Sequence, residues 1–460
     1  MSTTQLSVAD RPQPSRMYRW LVLIFVSLAM FGNYYFYDAL SPIADLLVKQ
    51  LHFTDANIGL LQAAYSFPNI FTVVIGGVII DRIGLRRSTL IYGVLCFVGA
   101  IITVLTSNLW IMATGRLVFG MGAESLIVAI TTALAAWFKG KELSFAFGVN
   151  LTVCRIGSFA ALNSPSWAKA AYVNWRYPFL IGVGMCSLCV VGAVIYWIMD
   201  VYAEKHFTMG QAGPTDKVVF KDLFHFGVSY WYIVALCIVF YSGIFPFQTF
   251  AVKFFMDSHG TTREQGGFLS SMLTLFAMIA TPLFGLMVDR IGKRALFMMF
   301  GSLLLIPVYL MMAYIHWSYQ LSIYFPEIHL SPFSFSLGVF HLPAILVITM
   351  AMMGVAFSLI PAIMWPSVAY IVDQAKLGTA YGLMTMIQNI GLFGFNLLIG
   401  WANDFSHASA ANPRGYNLGM QIFSVLGFLG MMFAFLLHQR ETGPHGHGLE
   451  TITTASHAQT

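Results

Sequence analysis

The sequence predicts an all-α membrane protein with twelve transmembrane helices in two six-helix pseudo-repeat halves. Three observations predict it. Of the 460 residues, 58% are hydrophobic and 9% charged, with a mean hydropathy of +0.74; a soluble globular domain carries about 25% charged residues. Twelve apolar runs are each long enough to cross a hydrocarbon core of about 30 Å. One motif also occurs twice: Gly77-Val-Ile-Ile-Asp81-Arg82-Ile-Gly84-Leu-Arg86-Arg87 follows the second run, and Gly285-Leu-Met-Val-Asp289-Arg290-Ile-Gly292-Lys293-Arg294 follows the eighth, 208 residues later.

Residues 1–18 read as a polar tail with two prolines. The apolar runs are 19–38, 57–80, 88–106, 109–137, 142–167 and 177–199 in the first half, and 228–255, 265–288, 295–315, 341–370, 375–402 and 417–437 in the second. The first lacks a small-residue cleavage site and reads as a true span. A charged linker over 200–227 separates a bundle over 19–199 from one over 228–437, and 438–460 forms a second tail. Sixteen of the 24 Lys and Arg fall on the side of the N-terminus, six on the other and two, Arg116 and Arg155, within spans. The positive-inside bias therefore puts both termini in the cytoplasm. All five cysteines lie in apolar runs; Cys186 and Cys189 form a CxxC without further ligands nearby, which reads as packing. The aromatic 316–340 loop, with Pro326, Glu327 and Pro332, reads as lying in the outer interface. The tail histidines His445, His447 and His457 read as solvated.

The densest chemistry lies between Gly115 and Gly157. Two apolar runs flank a basic turn, Phe138-Lys139-Gly140-Lys141, and each carries one ionisable residue, Glu124 before the turn and Arg155 after it. The two are about equally far from the turn. At about 1.5 Å per residue, some fifteen residues reach about 22 Å, past the middle of a hydrocarbon core roughly 30 Å thick. A carboxylate and a guanidinium are thus expected at one level on adjacent antiparallel helices. Each costs at least about 2.5 kcal/mol at that depth, so such groups face an interior or a wet cavity. Two readings follow, a structural brace or a substrate or ion site. A second echo, at an offset of 234, sets Leu143, Gly148, Arg155 and Gly157 against Leu377, Gly382, Asn389 and Gly391. The charged pair therefore belongs to the first half alone.

Other residues join this set. Thr152 shares a helix face with Arg155. Trp365, Gln388 and Asn389 are the polar or amphipathic groups at comparable depth in the second half, and Trp365 has an N–H to satisfy if buried. Asp38 ends the first span after Tyr37, as a solvated interfacial acid or as cavity lining. Arg116, about seven residues inside the fourth span, is expected to meet a carbonyl or acid of a neighbouring helix in a structural, gating or transport role. The recurring corners, with Asp81, Arg82, Arg86, Arg87, Asp289 and Arg290, suit gating: acid and arginines can pair with helix termini or with charges across a gap and part on opening.

The GxxxDRxGxRR corner with its echo, and Arg116-x-x-x-Gly120-x-Gly122, resemble the signatures of the major facilitator superfamily. GAESL around Glu124, WFKGKELSFAFG from Trp137 to Gly148, Arg155-Ile-Gly-Ser158, Asn33-Tyr-Tyr-Phe-Tyr-Asp38 and LGTAYGLMTMIQNIG from Leu377 to Gly391 resemble its lysosomal dipeptide transporter branch. The resemblance implies the major facilitator fold, with a first helix bordering the cavity. It further implies alternating access, with Glu124 on the α-ammonium and Arg155 on the α-carboxylate of a dipeptide. ExxERF is absent from the first span, so the mechanism of proton-coupled oligopeptide carriers is not implied.

The short tails, the lack of an acidic dileucine signal and the placing of the lone N-x-S/T triplet, Asn150-Leu-Thr152, inside a span suggest a bacterial relative in a plasma membrane; a lysosomal membrane is the alternative. The leading function is a secondary carrier for a small zwitterion, most simply a dipeptide. The alternative is an organic-anion, amino-acid or drug carrier with Glu124 carrying a proton. Walker, HExxH and GxSxG motifs are absent, so neither an ATP-driven pump nor an enzyme is expected. The expected partners are the bilayer and a small solute; no cofactor, nucleic acid or accessory subunit is indicated.

Overall fold

The computed structural model describes residues 12–138, 142–207, 226–324, 328–330, 333–335, 339–373, 376–444 and 446–452. The first half comprises α1 (Arg16–Asp38), a short α2 (Ala44–Leu51), α3 (Asp55–Ile83), α4 (Leu85–Leu105), α5 (Leu109–Phe138), α6 (Leu143–Leu162), one turn α7 (Ser164–Trp167) and α8 (Arg176–His206). The second comprises α9 (Val228–His259), α10 (Arg263–Ile291), α11 (Arg294–Tyr314), α12 (Ala344–Ile371), α13 (Leu377–Phe405) and α14 (Asn417–Thr442). Eleven spans are long and apolar enough to cross a bilayer, and α3, bent by 53°, makes the twelfth when its two pieces are one span.

The duplication extends beyond the motif that revealed it. Thr54 and Thr262, 208 residues apart, each close a capping box, with Asn57 and Gln265 respectively. Each thus satisfies orphan N–H groups at the start of a 29-residue helix. Both helices stop at a glycine, Gly84 at φ +86° and Gly292 at φ +71°. Positive φ there is open to glycine at little steric cost, which lets the chain turn at once into α4 or α11. The packing repeats too. Within the first half α4 packs on α5 and α8, α1 on α8 and α6, and α3 on α5. Within the second, α11 packs on α12 and α14, α9 on α14 and α13, and α10 on α12.

Three segments differ from the sequence reading. Helix α8 runs to His206, so Asp200 and Glu204 lie on a helix and not in a loop; hydropathy falls at the membrane surface, but intrahelical hydrogen bonding does not. The 316–340 segment holds strand β1 (Gln320–Tyr324), strand β2 (Ile328–Leu330), strand β3 (Phe333–Phe335) and the start of strand β4 (Val339–Pro343). β1 pairs antiparallel with β4, Gln320 opposite Pro343, and β2 with β3. Pro326, Glu327 and Pro332 lie outside the described residues, as do Lys139, Lys141, most of the 200–227 linker, His445 and His457. His447 is not merely solvated. Its N–H donates to Glu441 Oε2 at 2.7 Å and its Nδ1 lies 3.0 Å from Oε1. Just beyond, Glu450 Oε1 accepts from Ala295 N at 2.8 Å and Arg294 donates to the Ile452 carbonyl at 2.6 Å, with Leu449 fully buried beneath. The tail caps the N-terminus of α11.

The halves meet along two seams, α3 with α13 and α6 with α10. The bonds described between them gather on the face opposite the termini. Lys253 Nζ lies 2.9 Å from Asp55 Oδ1, both nearly buried, and also donates to Tyr416 at 2.8 Å. Arg263 pairs with Asp45 at 2.6 Å and Lys169 with Glu264 at 3.0 Å. Asp404 accepts from the first two N–H groups of α3, Asp55 at 2.9 Å and Ala56 at 2.8 Å. Ser41 donates to the Gln248 carbonyl at 2.6 Å.

Two outcomes test this architecture. In a cysteine-free background, single cysteines at Lys49 and Arg87, both exposed, are expected to react with an impermeant thiol reagent from opposite faces of a vesicle. Lys253→Ala strands Asp55, and losing one partner of a buried pair costs about 3–5 kcal/mol. That variant is expected to spend more time open on the face opposite the termini, read as faster labelling of a cysteine at Gln388 from that face.

Candidate functional site

Between the halves, near mid-span, lies a cavity of about 270 Å³. Asn33, Tyr34 and Tyr37 of α1, Tyr65 of α3, Glu124 of α5 and Arg155 of α6 line it from the first half; Tyr241, Phe245, Trp365, Thr385 and Gln388 line it from the second. Glycine explains how Glu124 acquires its neighbours. A Cβ on Gly120 would stand 2.2 Å from the Tyr65 carbonyl oxygen, so only glycine lets α5 lie this close to α3. The approach sets Tyr65, whose hydroxyl donates to Glu124 Oε1 at 3.0 Å. Asn33 Nδ2 donates to the Ala123 carbonyl at 3.2 Å, which ties α1 beside the same acid.

Arg155 stands elsewhere on the wall. Its guanidinium carbon is 5.1 Å from the Phe357 ring centroid, within cation–π range. Both charged residues are half-buried. Among the described contacts no ion pair joins them. The depth argument put them on adjacent helices, but α6 packs chiefly on α1 and α10, and α5 on α3 and α4. The two successive helices share a depth but only a small interface, and among the described contacts acid and base line one cavity without pairing.

The remaining sequence-nominated residues divide. Tyr37, Trp365 and Gln388 line the cavity. Trp365 Nε1 donates to Tyr241 Oη at 3.0 Å, and the Trp365 carbonyl accepts from Tyr381 at 3.1 Å, which fixes the indole across the cleft. Asn389 is buried and donates to the Thr385 carbonyl at 3.0 Å, so its neighbours Thr385 and Gln388 face the cavity in its place. Thr152 donates to the Gly148 carbonyl at 2.9 Å and lines an adjoining space. Asp38 is buried beside Ser158 and Arg155 at a void of about 20 Å³, just behind the main cavity.

Arg116 is fully buried, and its cationic group meets carbonyls as expected: Nη1 donates to Phe36 O at 3.2 Å and Nη2 to Tyr37 O at 3.4 Å, with Gln62 Oε1 as a further acceptor. Those are last-turn carbonyls of α1, otherwise without helical partners. Four rings, Phe36, Tyr37, Tyr65 and Phe119, surround the guanidinium at 5.6–6.0 Å. Arg116 thereby holds the end of α1 and the direction of Tyr37. The corner residues lie far from the cavity on the termini face. Arg86 pairs with Asp200 and, at 2.7 Å, with Glu204; Asp289 pairs with Arg294 at 3.0 Å. These bonds stay within one half. Asp81, Arg82, Arg87 and Arg290 are exposed there.

Sequence reasoning missed Tyr65, Tyr34, Asn33, Tyr241 and Thr385. Each sits in an apolar run with nothing but side-chain type to mark it. The clues available were the family-like stretches 33–38 and 377–391, which hold Asn33, Tyr34 and Thr385, and the glycine pair after Arg116, which marks where α5 touches α3.

The Major Facilitator Superfamily profile matches residues 26–341 and 248–453. The lysosomal dipeptide transporter MFSD1 of Danio rerio is 29% identical over 460 residues, covering 96% of this chain and 92% of that protein. Its Homo sapiens counterpart is 29% identical over 450 residues, covering 94% and 89%. A bacterial homologue of the human lysosomal transporter Spinster, solved inward-facing and unoccupied, superposes with a TM-score of 0.69 at 15% identity, covering 93% of this chain and 98% of that one. The nucleoside transporter NupG gives 0.64 at 14%, covering 92% and 99%. With its two matching six-helix halves and a cavity between them, the chain belongs to the Major Facilitator Superfamily, and it is a membrane transporter and not an enzyme.

Proposed function

We propose that the protein carries small zwitterions, dipeptides foremost, by alternating access. The observation that carries this reading is the pair of opposite charges set apart on one cavity wall, Glu124 hydrogen-bonded by Tyr65 and Arg155 backed by Phe357. A structural brace calls for contact between the charges; a zwitterion calls for a gap that it fills. The ammonium group meets Glu124 and the carboxylate meets Arg155. Relatives matched over nearly their whole length are dipeptide transporters, which supports the substrate class. The second reading, an organic-anion carrier with Glu124 as proton carrier, draws on two more distant relatives. A probable sulfoacetate transporter of Cupriavidus necator is 21% identical over 60% of this chain, and a galacturonate transporter of Dickeya chrysanthemi 28% over 37%.

The bonds between the halves gather on the face opposite the termini, so the cavity is served from the termini face. On the positive-inside bias that face is cytoplasmic, in a bacterial plasma membrane; the lysosomal names of the relatives support a lysosomal membrane as the alternative. The Asp81–Arg87 and Asp289–Arg294 corners act as gates. They meet when the cycle closes the termini face.

Uptake into proteoliposomes tests the grip. Glu124→Gln is expected to impair free dipeptides strongly and N-acetylated ones little; Arg155→Gln should show the mirror pattern with C-amidated peptides. The double variant should lose transport without rescue. A double variant at wild-type rate returns the pair to a brace, and sulfoacetate uptake that needs Arg155 while peptides fail favours the anion reading. For the gates, Asp81→Asn is expected to slow exchange at least about tenfold, roughly 1.4 kcal/mol on the barrier, with substrate affinity nearly unchanged. Lost binding in a folded variant assigns Asp81 to the site instead.

A further inference from the structure

The cavity does not end at Arg155. A second space of about 310 Å³ continues past it between α6, α10 and α12. Arg155 and Trp365 line both spaces, so they are two lobes of one cleft. The lobes differ in chemistry. The inner one carries Glu124, Asn33, Gln388 and several tyrosines. The outer one is walled by Leu151, Ala277, Met278, Pro282, Phe357 and Pro361. Its lining also includes two threonines, Thr281 and Thr152, and the Thr152 hydroxyl already donates to the Gly148 carbonyl at 2.9 Å.

We infer that the outer lobe receives the side chain of a dipeptide's C-terminal residue, and that the carrier favours a large apolar residue there. The inference rests on the zwitterion reading above and deepens it. A carboxylate and the side chain beside it leave the same Cα. A carboxylate held by Arg155 therefore puts its own side chain at the boundary between lobes, while the rest of the peptide extends inward to Glu124. Phe357 holds the guanidinium at that boundary, its ring centroid 5.1 Å away, and lines the outer lobe itself. Size agrees: ligand pockets run from about 300 to 1,000 Å³, a range the inner lobe misses alone and the joined lobes enter. An apolar side chain in the outer lobe leaves water for carbon, with buried Ala277 and Phe357 among the walls it meets.

Isomeric dipeptides isolate the effect, because Gly-Leu and Leu-Gly differ only in where the side chain stands. Affinities are measured on purified wild-type protein for Gly-Leu, Leu-Gly and Gly-Gly. Gly-Leu is expected to bind at least about tenfold more tightly than Leu-Gly, a difference of roughly 1.4 kcal/mol. Met278→Trp fills the outer lobe from its half-buried wall and is expected to erase that preference while leaving Gly-Gly affinity within about threefold. Ala277→Phe fills it from the buried wall and serves as the second variant if the first misfolds. Equal affinities, or tighter Leu-Gly, overturn the outer-lobe assignment and leave the zwitterion reading standing. A wild-type protein that melts cooperatively yet binds none of the three peptides overturns both.

Discussion

The architecture depends on a helix end that one half cannot satisfy alone. Helix α3 begins at the seam, and its first N–H groups are orphans by construction. Thr54 closes part of the set from within the first half, and Asp404 of the second half accepts from Asp55 and Ala56. A carboxylate is well suited to the positive end of the helix dipole. Asp55 is then held by Lys253 and by Asn403 Nδ2 at 3.0 Å. One polar knot thus ties α3, α9 and α13 across the halves. The described bonds between the halves lie with it on the face opposite the termini. Opening that face would replace these bonds with water or with new partners.

Much of the fold was legible because membrane helices announce themselves by length and apolarity, and because the duplication repeats its punctuation. The Asp81 and Asp289 corners gave the offset, and the same offset relates Thr54 to Thr262 and Gly84 to Gly292. What escaped was structure outside the apolar code. Helix α2 is short and mixed in character. The β1–β4 pair alternates exposed and covered residues over five positions each, too few to stand out from an aromatic loop. His447 and Glu450 look like tail polarity until the chain is seen folded back on α11.

The site was legible in part. Charge in an apolar run costs free energy, so Glu124, Arg155 and Arg116 are conspicuous in any reading. Depth along a hairpin followed from counting, but lateral placement did not, because it depends on which helix faces slide together. That choice is made by the small residues: glycine at 120 admits Tyr65, and glycine at 267 admits the Leu162 carbonyl, 2.2 Å from where its Cβ would be. Tyr65 and Tyr241 act through one hydroxyl each, and a tyrosine among many in a hydrophobic chain carries no mark of its role. Asn389 shows the converse error: a polar residue at the right depth can spend its donor on its own helix, at Thr385.

The folded-back tail has a consequence for the order in which the molecule is made. The first half has both partners of its Arg86–Asp200 corner by the time His206 has been synthesised, although the start of α3 still waits for Asp404. In the second half the N-terminus of α11 waits for Glu450 and the corner arginine Arg294 waits for Ile452. On a ribosome those residues emerge after α14. The two halves, nearly alike in packing, therefore mature on different schedules: the first has its corner pair once α8 is made, and the second waits for residues beyond α14.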